Sequence, residues 1–291
     1  MNIGIIFALI ALLGWGLADF LIEKSTRKFG NIASLFFITT FGVIILLPFV
    51  YKDIIPLLMF EMGTREFWIL IGGGAFALVA ALFDFEALRI GKIAVVEPIY
   101  ALEIIGTVIV TGLAIHEWLT ITQTLLVLGV VIGVVLISLK QFTQVKQIRL
   151  ERGIIFALTA TLFMTGENFL IGYGSRLSNP LLTNWVIDLI ISLATFGYLL
   201  AKGTATALPT HLKKYPTLIF WVSALDTLGW VAFAYSTIHI PIGLATGISE
   251  SYIALAVLLG LFINREKLKV HQFLGVITTV TAAIVLSYLG K

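Results

Sequence analysis

The chain has no cysteine, and only 12% of its 291 residues are charged. The first absence excludes disulfide scaffolds, thiolate metal sites and cysteine nucleophiles together. The second sets the chain apart from soluble domains, in which about 25% of residues are charged. What the sequence has instead is apolar: 59% hydrophobic residues and a mean hydropathy of +1.05. A spanning helix needs roughly 20 apolar residues, and ten such stretches would take up about 200. That leaves short connectors and no room for a water-soluble catalytic domain. The expectation is an integral, multi-pass protein of the cell membrane, not an enzyme, with the lipid bilayer as its surroundings and no nucleic-acid partner, cofactor or metal.

Apolar runs broken by charged or Gly/Pro-containing segments predict spans at 3–22, 31–50, 67–88, 93–114 and 120–139, then at 153–172, 181–200, 217–237, 242–263 and 270–289. The first run has neither a basic leader nor an A-x-A-like site and reads as a retained span. Backbone groups in lipid must be satisfied within the segment, and no alternating ten-residue barrel pattern appears. The fold class is therefore all-α and polytopic.

The sequence also repeats itself. GIIFAL occurs at Gly4 and again at Gly153, and the same offset of 149 pairs Phe20-Leu21-Ile22 with Phe169-Leu170-Ile171, Arg27 with Arg176 and Asp19 with Asn168. At the far end it pairs Glu117-x-Leu119 with Glu266-x-Leu268, Gln123 with Gln272 and Ser138 with Ser287. One offset holding at both ends argues for duplication, giving a first unit at 1–145 and a second at 146–291. Five spans per half is an odd number, so the second unit enters the membrane in the opposite sense. Inverted repeats of this kind place substrate near the bilayer midplane and alternate its access by rocking one half against the other.

Charge sets the expected orientation. Of the 19 basic residues, Lys52, Arg65, Arg176 and Lys291 fall in connectors on one side and the other 15 on the opposite side. The positive-inside rule makes the richer side cytoplasmic and sends both termini outward.

The paired halves, each closing with a Glu-x-Leu turn before a Gln-containing last helix, resemble the EamA type of the drug/metabolite transporter superfamily. Supporting the resemblance are Gly14-Trp15-Gly16 in the first span and the run Ala87-Leu88-Arg89-Ile90-Gly91 followed by Glu97-Pro98. The second half departs from it, with Ser251 after Glu250 where a proline would be expected. The resemblance implies carriers of amino acids, nucleotide sugars, phosphorylated metabolites, choline or lipophilic cations that use no ATPase.

Nine of the 16 acidic residues fall within predicted spans, where no Lys or Arg occupies an interior position. A charge at mid-bilayer costs at least about 2.5 kcal/mol, so such a group faces a cavity, pairs with a cation or holds a proton. Asp19, Asp84, Glu86 and Glu97 lie near the basic connectors, where snorkelling offers a plain explanation. Glu103, Glu167, Asp188, Asp226 and Glu250 lie deeper and are the principal candidates for binding substrate or protons, with Asp19 and Glu97 beside them. The plain alternative for each is a protonated carboxyl bonded to a neighbouring helix.

Helical spacing puts Trp15 on the face of Asp19, Tyr100 on that of Glu97 and Glu103, Trp185 on that of Asp188, and Trp230 on that of Asp226. A carboxylate beside an electron-rich ring suits an organic cation; ordinary packing is the alternative. The expected function is secondary transport, by export, of a small cationic or amine-bearing solute in exchange for protons. A carrier of neutral amino acids is the nearest rival, and an intramembrane aspartyl protease using Asp188 and Asp226 a remote one. Gly129-x-x-x-Gly133 and Thr278-x-x-x-Ala282 read as faces for close helix contact. Substrate identity and the choice between monomer and homodimer stay open.

Overall fold

A computed structural model describes residues 2–90, 99–138, 152–252, 255 and 269–289. The expected boundary between the halves at 145 and 146 lies outside the described residues, as do parts of the fourth and ninth expected spans. The elements are α1 (Ile3–Phe29), α2 (Asn31–Leu58), α3 (Thr64–Ile90), α4 (Leu102–Ile115) and α5 (Ile121–Ser138) in the first half. The second half holds α6 (Arg152–Leu177), α7 (Pro180–Ala201), the short α8 (Leu208–Lys214), α9 (Pro216–Thr237), α10 (Ile242–Ser249) and α11 (Val270–Leu289). No strand occurs among the described residues. Six helices, α1, α2, α3, α6, α7 and α9, are long and apolar enough to cross a membrane, and α4, α5 and α11 contain shorter apolar stretches.

Helix ends follow local chemistry. The Asn2 side chain accepts from the Gly4 N–H at 2.9 Å and starts α1. Asn179 accepts from the Leu182 N–H at 2.7 Å and, with Pro180 behind it, starts α7. Gly30 alone joins α1 to α2, at φ +86° and ψ 162°, a backbone region that only glycine enters freely. α1 runs beyond the expected end at Ile22 to Phe29. Lys and Arg are good helix formers, and Arg27 and Lys28 suit the last turn of a helix, so loss of hydropathy marks where the apolar run stops and not where the helix does.

Contacts across the halves pair α1 with α9, α2 with α7, α3 with α6 and α5 with α11 most extensively, and α4 also touches α10, although α4 packs more on α6 and α10 more on α1. Moving each element to its repeat equivalent exchanges the α1–α9 and α3–α6 contacts and leaves the other three unchanged. One face gathers the start of α1 near His239 and Ile240, the Asp53–Asn179 hydrogen bond at 3.2 Å, Arg65 bonded to Tyr173, and Arg176 paired with Glu117. α1 therefore begins on the face where its equivalent α6 ends, and α3 begins where α9 ends. The opposite face gathers Phe29, His211 and Tyr215.

The α5–α11 contact is a backbone-to-backbone approach. A Cβ on Gly133 would lie 2.8 Å from the Gly275 carbonyl oxygen, and one on Gly275 would lie 2.7 Å from that of Gly133. The expected small-residue face is thus present on α5, but on α11 it is Gly275 and Thr279 that meet Gly133. Thr278 instead bonds back to the Leu274 carbonyl at 2.8 Å. The Gln272 amide, donating to the Ile137 carbonyl at 3.0 Å, ties the start of α11 to the end of α5.

Candidate functional site

α1 and α9 run antiparallel in register: Gly4 faces His239, Phe7 stacks on Tyr235 and Gly14 faces Gly229. This register brings the two tryptophan–aspartate faces together. Trp15 and Trp230 meet edge to face with centroids 4.8 Å apart, and Phe233 packs on Trp15 at 5.6 Å. Because the chains are antiparallel, Asp19, four residues after Trp15, and Asp226, four residues before Trp230, both lie one turn beyond the rings in the same direction. Asp19 and Asp226 are electrostatic neighbours. The result is an aromatic layer beside an acidic layer. Gly229 makes the approach possible, since a Cβ there would sit 2.6 Å from the Trp15 indole nitrogen. That nitrogen is buried, with Trp15 6% exposed, and has no hydrogen-bond partner among the described residues.

A second pair of acids lies where the helical ladder is interrupted. α4 begins after a turn at Ala101, and α10 ends at Ser249 with Glu250 as its C-cap, residues 250 and 251 forming a turn. The carboxyls of Glu103, 5% exposed, and Glu250, 9% exposed, hydrogen-bond to each other. Ionised carboxylates only accept hydrogen bonds, so a bond between two carboxyls requires a proton on one of them.

The remaining acids connect the two pairs. Glu167 on α6, 7% exposed, has Asp226, Asp84 and Glu250 as electrostatic neighbours. Asp84 on α3 is bonded by the Tyr100 side chain, and Asp19 by that of Tyr252. Asp19 keeps exposed surface although its neighbours are acids and a tyrosine. Among the described residues, the charged groups acting on these carboxyls are other carboxyls.

The structure sorts the expected residues. Trp15, Asp19, Asp226 and Trp230 form one group, and Glu103, Glu250, Glu167 and Asp84 border it. Asp188 is an electrostatic neighbour of Asp226 but stands at the α2–α7 contact, its carboxyl filling the notch left by Gly42. Trp185 belongs to that contact too, donating its N–H to the Val43 carbonyl at 3.2 Å within a separate apolar cluster. Tyr100 packs with Ala87, Ala157 and Ala160 and serves Asp84. Glu97 lies outside the described residues. Tyr252 and Phe233 were not among the expected residues. Phe233 follows Trp230 by three positions, a spacing that would have found it; Tyr252 carries no such mark.

No group of three or more metal-ligating side chains occurs among the described residues. The profile of the EamA-like transporter family matches the chain twice, at residues 2–139 and 151–288. A solved crystal structure of another protein aligns at a TM-score of 0.72 and 14% identity, over 99% of this chain and 97% of the other, a likeness that shows the fold alone. No curated protein matches the chain.

Proposed function

Because the chain belongs to the EamA-like transporter family, a family of integral membrane transporters of the drug/metabolite type, we propose that it is a secondary active exporter of a small cationic or amine-bearing solute in exchange for protons. In this reading ten helices form two inverted five-helix repeats, and the solute reaches a midplane site from one side at a time. The observation that carries it is the layer of Trp15 and Trp230 beside Asp19 and Asp226. A cation entering there meets ring faces and carboxylates together, and a desolvated cation–π contact contributes about 2 kcal/mol.

Proton exchange rests on the Glu103–Glu250 pair. A carboxyl that gives up its proton becomes a partner for a cation, and one that regains it lets the cation go. Protons entering down their gradient then drive the solute outward. The positive-inside count supports placement in the cell membrane with both termini outside.

One observation favours a second reading. The unpartnered Trp15 N–H is a donor, and a neutral amino acid would offer it a carboxylate while its amine met Asp19 or Asp226. The test is purified protein in proteoliposomes, with solid-supported-membrane currents recorded against organic cations, amino acids and sugar phosphates, alongside Glu103→Gln and Glu250→Gln. Currents with cations that vanish in both variants support the cation reading. Currents with amino acids alone, surviving both substitutions, replace it with the second.

A further inference from the structure

At the basic-poor face, four segments meet on two side chains. The Arg176 guanidinium at the end of α6 donates to the Glu117 carboxylate at 2.5 Å, to the Thr237 carbonyl at 2.7 Å and to the Ile240 carbonyl at 3.0 Å. Glu117, in the segment after α4, uses its other oxygen to accept the Ile242 N–H at 2.6 Å. One charged pair thus joins the end of α6, the segment after α4, the end of α9 and the start of α10. Guanidinium suits this role because its donors lie in a fixed fork, and carboxylate because it accepts on two sides.

What gives the pair a function is the element it caps. α10 spans Ile242–Ser249, about 12 Å at 1.5 Å per residue, and every residue in it is buried. Its head is held by Glu117 and its tail is Glu250, bonded to Glu103. Gly243 lies against Val108 of α4 and Gly247 against Val127 of α5, so α10 fits closely among its neighbours. A short helix packed on all sides moves as one body. We propose that Arg176 and Glu117 are a positioning pair that holds the basic-poor face shut, and that α10 makes its release and the parting of Glu103 from Glu250 a single movement.

This rests on the carrier reading of the chain and not on the identity of its solute. The absence of cysteine allows a direct test, with Ile240→Cys as a reporter beneath the pair and a membrane-impermeant maleimide as the probe. With Arg176 and Glu117 intact, Ile240→Cys labels slowly from the basic-poor face. Adding Arg176→Gln or Glu117→Gln speeds labelling roughly tenfold or more. Arg176→Lys, which keeps the charge but cannot reach three acceptors, falls between. Thr279→Cys, buried beside Gly133 in the α5–α11 contact, is the control and stays unlabelled throughout. To link the two ends of α10, Glu103→Leu and Glu250→Leu, which break the contact between these two side chains, must also change Ile240→Cys labelling, by at least roughly threefold. Unchanged labelling in Arg176→Gln, labelling of Thr279→Cys together with Ile240→Cys, or no response to the α10 tail substitutions would each overturn the proposal. The labelling assay requires no transported solute, so failure of the cation reading in the current measurements is read separately.

Discussion

Glu103, in the first turn of α4, and Glu250, at the end of α10, hydrogen-bond to each other across the two halves of the chain. Glutamine at either position can donate its amide N–H to the remaining carboxylate, so the fold persists while the exchangeable proton is lost. Glu103→Gln is expected to abolish solute-driven change in lumenal pH, by at least roughly tenfold, with thermal unfolding in detergent little altered. Glu103→Leu leaves the Glu250 oxygens without a partner and costs about 1–3 kcal/mol. A pH-sensitive dye trapped in proteoliposomes checks the first expectation. Lumenal pH change at the unsubstituted rate in Glu103→Gln would remove this pair from the coupling step.

The Trp15–Trp230 contact predicts a different signature. Trp230→Ala removes a ring face beside Asp226 and is expected to weaken tetraethylammonium binding by roughly 10- to 30-fold. Trp230→Phe keeps a weaker ring face and should lose less. Asp226→Asn removes the charge and should weaken the cation at least as much as Trp230→Ala. Isothermal titration of the purified protein distinguishes these, and equal binding in Trp230→Ala and the unsubstituted protein would make the aromatic layer simple packing.

The sequence made the helices and the repeat legible because both are periodic signals, in hydropathy and at the offset of 149. It also showed that Trp15 shares a face with Asp19, and Trp230 with Asp226, since helical spacing is local. It could not show that the two faces meet, which depends on the antiparallel register of α1 and α9. For the same reason Asp188 and Trp185 looked equivalent to the other pair, although Gly42 and the Val43 carbonyl place them at the α2–α7 contact. Glu117 and Arg176 read as connector charges because nothing along the chain reveals that one caps α10 while the other gathers its neighbours' carbonyls.

The approach of Gly133 to Gly275 predicts where stability resides. Gly275→Val would force a side chain into the Gly133 carbonyl and the backbone of α5, and overpacking of this kind costs about 1–3 kcal/mol. Gly129→Ala should be tolerated, because its Cβ would meet that of Ala282 at an ordinary 3.5 Å. Thermal unfolding in detergent should therefore separate the two variants, and an unaltered midpoint for Gly275→Val would show that the two helices part without cost.

Orientation can be settled with the same cysteine-free background. The connector holding Glu61 joins α2 to α3 on the face of Arg176 and Glu117, whereas Thr204 follows α7 near Lys202 on the opposite face. Both residues are exposed. If the excess of basic residues on the second face keeps it in the cytoplasm, an impermeant maleimide added to intact cells labels Glu61→Cys and leaves Thr204→Cys untouched until the membrane is permeabilised. That outcome also fixes the direction in which the Arg176–Glu117 pair acts, since a latch on the outer face closes the route by which an exported solute leaves. The reverse labelling pattern would place the pair at the cytoplasmic entrance. It would then govern capture of solute, and inward-moving protons would meet Glu103 and Glu250 from the side without the latch.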